Sequence, residues 1–174
     1  VLQGEICYIT TGGDRLMAEV IKVVGSDVYV QVFESTRGLK VGSEAEFTGH
    51  QLEIQLGPGM LSKNYDGLQN DLDKMDGVFL RRGQYTAPLD EDRLWDFEPI
   101  VKAGDKVEGS AWLGKVEENH QPLKIMAPFQ MEGVAVVKSI VPAGQYKVND
   151  TIAVLTTEAG EDINVTMVQR RPVK

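Results

Sequence analysis

Histidine, cysteine and tryptophan are nearly absent from this chain, at two, one and two residues among 174. A structural or catalytic metal needs several His or Cys ligands at short spacing, and His50 and His120 each stand without a second ligand nearby. Both are expected at the surface. A lone Cys7 closes no disulfide within the chain. Its apolar neighbours in Ile6-Cys-Tyr-Ile9, with no general base to propose for it, mark it as core and not as a nucleophile. No apolar run approaches the ~20 residues that span a bilayer, and no charged-then-apolar leader opens the chain. A cytosolic protein without membrane insertion is expected. Basic residues are also in short supply, 18 against 26 acidic for a net charge of -8, and their only clusters are Arg81-Arg82 and Arg170-Arg171. Such a surface opposes a phosphate backbone, which excludes nucleic acid as a partner. No methionine stands first, as expected of a fragment or a processed product.

What is present is strand-forming sequence, with apolar residues at 42% of the chain. Short runs at Glu5–Thr10, Arg15–Val24, Asp27–Glu34, Glu44–Thr48 and Leu52–Leu56 are separated by glycines, and Asp27-Val-Tyr-Val-Gln-Val-Phe-Glu34 alternates strictly. Residues 1–57 therefore predict a small antiparallel β-barrel or sandwich. From 58 to 92 the pattern loosens into a connector, with Leu68 and Leu72 at the spacing of one short helix and Val78-Phe79-Leu80 as a short strand. A second strand-rich region occupies 93–168, and 169–174 begins a link onward. That region holds a weak repeat: Gly104-Asp-Lys-Val107, Leu113 and Val116-Glu117 are echoed by Gly144-Gln-Tyr-Lys-Val148, Ile152 and Val154. Two such halves can cover each other in one barrel-like sandwich, so the fold class is all-β.

Gly109-Ser-Ala-Trp-Leu-Gly-Lys-Val116 comes within one residue of a phosphate-binding loop. That loop needs a Ser or Thr after its Lys to hold Mg²⁺, a buried strand before it and a helix after it. Val116 has no hydroxyl, and Glu117-Glu118 would repel a polyphosphate. The glycines are expected to bracket a strand pairing with the Gly144–Val154 half, with Lys115 in solvent. Asp71-Leu-Asp73-Lys-Met-Asp76-Gly77 misplaces the third carboxylate and the glycine of a calcium loop and has Arg82 where the closing Glu belongs. It reads as a solvated acidic turn. Asp90-Glu91-Asp92 and Glu117-Glu118 read as solvated charge, and the sequons at Asn149 and Asn164 carry no meaning in a cytosolic protein. No catalytic, cofactor or metal residue emerges.

A resemblance is carried by Phe33-Glu-Ser-Thr-Arg-Gly-Leu-Lys-Val-Gly42, Thr48-Gly49, Leu52-Glu-Ile-Gln-Leu-Gly-Pro-Gly59 and Tyr65-Asp-Gly-Leu-Gln69. It continues through Phe79-Leu-Arg-Arg-Gly83, Trp95-x-Phe97-x-Pro99, Lys124-Ile-Met-Ala-Pro128 and Met167-Val-Gln-Arg-Arg-Pro-Val173. In these the chain resembles the catalytic A subunit of the vacuolar/archaeal-type (V-type/A-type) rotary ATPases along nearly its whole length. It departs from the family at Asn70-Asp71, where Arg-Pro is usual, at Arg171, where Trp is usual, and at Trp112, where an aliphatic residue is usual.

The resemblance implies an amino-terminal β-barrel in the crown of the ring of alternating A and B subunits, then the insertion called the bulge, which projects toward the peripheral stalk. The nucleotide domain, where the parent would use Mg-ATP and ADP, is expected beyond this chain. The first family strand is expected to be missing, leaving about five barrel strands and one unpaired edge. Partners implied are the B subunit of the V-type ATPase and the peripheral stalk, with the parent peripheral to the membrane in its cytoplasmic head and the isolated chain a monomer or weak oligomer. Arg37 and Lys40, in a loop between barrel strands, are the expected interface residues. The alternative is a biotinyl or lipoyl carrier, since Pro99–Glu158 also resembles those barrel-sandwich hybrids. A carrier requires its modified Lys at an exposed hairpin tip flanked by Met, whereas Lys124 follows Leu123 at the edge of an apolar strand.

Overall fold

The computed structural model describes residues 1–75 and 82–173. The expected strand Val78–Leu80, residues Asp76, Gly77 and Arg81, and part of the Phe79–Gly83 motif lie outside the described residues. The chain forms two compact units, one from 1–54, 66–86 and 171–174, the other from 55–65 and 87–170.

In the first unit, β1 (Glu5–Thr11), β2 (Asp14–Val24), β3 (Asp27–Val32) and β4 (Glu44–Gln51) form an antiparallel sheet in the order β3-β2-β1-β4. β5 (Glu53–Leu56) pairs instead with β14 (Gln169–Pro172). All five expected front strands are therefore present. Two edges, β3 and β4, end the first sheet where one open edge was expected. Alternation buries Cys7 and Ile9 on β1 and Leu16, Ala18 and Val20 on β2, Ile6 is buried as well, and Val30, Val32 and Leu39 pack against the cluster of Cys7, Ile9 and Ala18. A bulge at Ile21, between the pairs Val20–Val30 and Lys22–Tyr29, breaks the inward pattern.

No α-helix is found among the described residues; the expected connector helix is replaced by a single 3-10 turn at Leu72–Lys74. Asp66 explains the difference. Its carboxylate accepts the backbone N–H groups of Leu68 (2.9 Å) and Asn70 (2.8 Å) and the Asn70 amide (2.8 Å), so side chain competes with helix for the backbone donors. Gln69 then takes a left-handed φ of 61°. Asn70 Oδ1 accepts from Thr86 N (2.9 Å), tying the two ends of this segment together. Tyr85 fixes it to the barrel strands: its hydroxyl accepts from Met17 N (2.8 Å) and donates to the Glu34 carboxylate.

The second unit contains β6 (Leu94–Pro99), β7 (Lys106–Glu108), β8 (Trp112–Glu118), β9 (Gln121–Met126), β10 (Val134–Ile140), β11 (Gly144–Lys147), β12 (Ala153–Thr157) and β13 (Asp162–Val165). They form two four-stranded sheets, β11-β6-β8-β9 and β13-β12-β10-β7. Each half of the repeat thus keeps three strands and lends its second, β7 or β11, to the edge of the other half's sheet. Val107, Leu113, Ala135, Val137 and Leu155 fill one core cluster, and Trp95, Phe97, Val116, Ile125, Val148 and Ile152 another. The repeat residues Val107, Leu113 and Val116 and their echoes Val148 and Ile152 are all buried.

Candidate functional site

The segment 109–116 is a packing device. Gly109 precedes the strand, but Gly114 lies inside β8, whose partners are β6 and β9 and not the Gly144–Val154 half directly. A Cβ on Gly114 would stand 2.2 Å from Phe97 Cε2, and one on Gly109 2.6 Å from the Met131 carbonyl oxygen. Close approach, not phosphate, therefore requires both glycines. Lys115 is engaged as well as exposed: its ammonium lies 2.8 Å from the Glu98 carboxylate, which raises its pKa. No helix follows. Instead Asn119 (φ 49°) and His120 (φ 61°) close a two-residue hairpin from β8 to β9, the left-handed pair that a type I′ turn needs.

Two bulges meet at Leu113. On one side Ile100 N (2.8 Å) and Val101 N (3.4 Å) both donate to its carbonyl; on the other, the pairing with β9 jumps from Trp112–Met126 to Gly114–Ile125. Leu113 is consequently buried, while Trp112 and Ile100 are 51% and 54% exposed. Lys124 sits in mid-strand on β9, opposite Lys115, with its ammonium 3.1 Å from the centre of the Trp112 ring. The hairpin tip belongs to Asn119-His120, so Lys124 is not placed as a carrier lysine.

The other motifs also become structural. Asp71 is fully buried and its carboxylate accepts from Asp73 N (3.1 Å), which corrects the solvated reading for Asp71, while Asp73 is exposed. Among the described residues no cluster of His, Cys, Asp or Glu is arranged to hold a metal. Both histidines are exposed. Cys7 is fully buried, and burial pushes its thiol pKa up, away from the reactive thiolate. Asp92 pairs with Lys147 (2.7 Å), which lowers its pKa. Glu118 is not solvated but 3% exposed, accepting from Gly59 N and Leu61 N, both at 2.9 Å. Asn149 and Asn164 line a cleft of about 330 Å³ with Phe129, Gln169 and Arg170.

Arg37 and Lys40 both lie exposed in the loop between β3 and β4, where the Arg37 carbonyl accepts from the Arg82 guanidinium. Sequence reasoning missed a more prominent feature in the same sheet, at the opposite end of β2 and β3. Ile21, Val23, Val24 and Tyr29 on the β2–β3 hairpin are 40–53% exposed, and Val41 in the loop is fully so. The available signal was Val20-Ile-Lys-Val-Val24, an apolar run without alternation just before the tip. β3 carries neither Pro nor Lys, the residues that commonly guard a sheet edge, whereas β9 has both in Pro122 and Lys124.

Residues 1–49 match the family model of the ATP synthase alpha/beta family β-barrel domain, and residues 86–174 that of the barrel-sandwich domain of the ATP synthase alpha/beta subunit. The chain is 44% identical over its whole length to the V-type ATP synthase alpha chain of Treponema denticola, covering 30% of that protein. It is 43% identical, again along its whole length, to the chain of the same name in Borrelia turicatae, covering 31% of it. The chain thus spans under a third of the length of these relatives.

Proposed function

We infer the role of this chain from its kinship: it belongs to the ATP synthase alpha/beta family, with a β-barrel domain followed by a barrel-sandwich domain. It serves as the non-catalytic amino-terminal portion of the ATP-hydrolysing and ATP-synthesising A subunit of a V-type/A-type rotary ATPase. The parent couples Mg-ATP turnover to cation transport across a membrane to which its cytoplasmic head is peripheral. The first unit holds alternating A and B subunits together as a ring, and the second helps anchor the peripheral stalk against torque.

The observation that carries the assembly role is the β2–β3 hairpin. An unguarded edge beside exposed Ile21, Val23, Val24 and Tyr29 costs solubility unless a neighbour covers it. Arg37 and Lys40, in the loop that follows β3 and hydrogen-bonds to Thr11 at the far end of the hairpin, would contribute separate charged contacts. The test is assembly of full-length chain with its B partner after Val23→Asp plus Tyr29→Asp, read by native mass spectrometry. Complex formation should fall at least tenfold while the thermal midpoint of the isolated chain barely moves, because exposed positions tolerate such changes. Unaltered assembly would refute the role given to the hairpin.

A further inference from the structure

Trp112 is aimed outward by the backbone. Counting back from buried Val116, regular alternation along β8 would turn Leu113 to solvent and Trp112 to the core; the bulges at Leu113 reverse both. Ile100 and Trp112 emerge on the outer face of this sheet, with Met126 directly opposite Trp112. Half-exposed Trp beside half-exposed Ile is costly to leave in water, and Trp is the residue most enriched where binding energy concentrates.

The charge pattern says what should cover this patch. Lys115 and Lys124 stand opposite each other across the strands, an arrangement that is repulsive. Lys115 has Glu98; Lys124 has no carboxylate partner among the described residues and rests on the indole ring. In a chain of net charge -8, an apolar patch capped by an unneutralised cation is a local reversal of sign. It suits an apolar surface flanked by carboxylates. We propose that Ile100, Trp112 and Lys124 form a docking surface for an acidic amphipathic segment of another subunit, whose apolar side covers Trp112 and whose carboxylate takes Lys124. The inference rests on the assembly reading above, since it requires a neighbouring polypeptide.

The test places the photo-cross-linker p-benzoylphenylalanine in the full-length chain of the assembled complex, at position 112 in one preparation and at position 29 in another. Irradiation should link position 112 to a segment of a different subunit in which Leu, Ile or Val recur with Asp or Glu beside them. Lys124→Glu should cut that yield about tenfold, as expected for a buried charge contact, and leave the link from position 29 intact. A link from position 112 only to a basic segment, only to another copy of this chain or to nothing overturns the docking surface, as does a yield indifferent to Lys124→Glu. If position 29 still links to its neighbour the ring reading survives that failure. Loss of both links sinks the two together.

Discussion

Gly114 bears no side chain because the Phe97 ring occupies the space a Cβ would need, at 2.2 and 2.3 Å from two ring carbons. Neither ring carbon is a flexible tip, so Gly114→Ala should overpack the second unit and cost about 1–3 kcal/mol, read as a lower urea midpoint. Gly67→Ala is the control. Nothing lies within 4 Å of a Cβ there, and its midpoint should hold or rise. Tyr85 supports a second prediction. Burial, then the hydrogen bond to Glu34, pushes its phenol pKa well above the ordinary value of 10. A proton held more tightly in the folded state stabilises fully below the unfolded pKa and is lost above it, so stability should decline as pH rises past about 10. Tyr85→Phe should flatten that decline in denaturation curves taken across alkaline pH, while costing about 1–3 kcal/mol at neutrality because Met17 N loses its acceptor. That the phosphate-loop pattern fails was legible at this scale, from Val116 and the two glutamates alone. That its glycines answer to Phe97 and Met131 was not, because those contacts join residues distant in sequence.

Among the elements, the strands before Leu56 could be read from alternation and glycine punctuation: β2 buries Leu16, Ala18 and Val20 in turn and β3 alternates exposed with half-buried residues, whereas β4 has no buried residue and follows the break at Gly42. The helix could not be judged correctly that way. Leu68 and Leu72 satisfy helical spacing, but Asp66 captures the donors a helix would use, and nothing in periodicity reports a side chain's competition for the backbone. The outward turn of Trp112 was hidden for a related reason, because a bulge changes the parity of a strand without changing its composition. The hairpin at Asn119-His120 gives a test at this level. His120 holds a left-handed φ of 61° and its only described ionic contact, to Glu117 at 3.4 Å, is exposed. Relief of the left-handed strain should outweigh the entropy glycine adds to the unfolded chain, so His120→Gly should stabilise by about 0.5 kcal/mol in thermal unfolding.

For the whole molecule, the two compact units are each discontinuous in sequence: 66–86 belongs with the first, and 55–65 with the second. Calorimetry of the isolated chain with Mg-ATP should give no saturable heat, and Lys115→Ala should behave identically, because Lys115 is committed to Glu98. Tight Mg²⁺-dependent uptake would contradict the role assigned to the segment 109–116. The exchange of β7 and β11 between the two sheets has a consequence for how the second unit opens. Neither half owns a complete sheet, so neither can detach while the other stays folded. The unit should behave as one foldon: amide protons on β10, inside one sheet, and on β6, inside the other, should exchange with solvent through the same opening event, and a load applied to either half is borne by both.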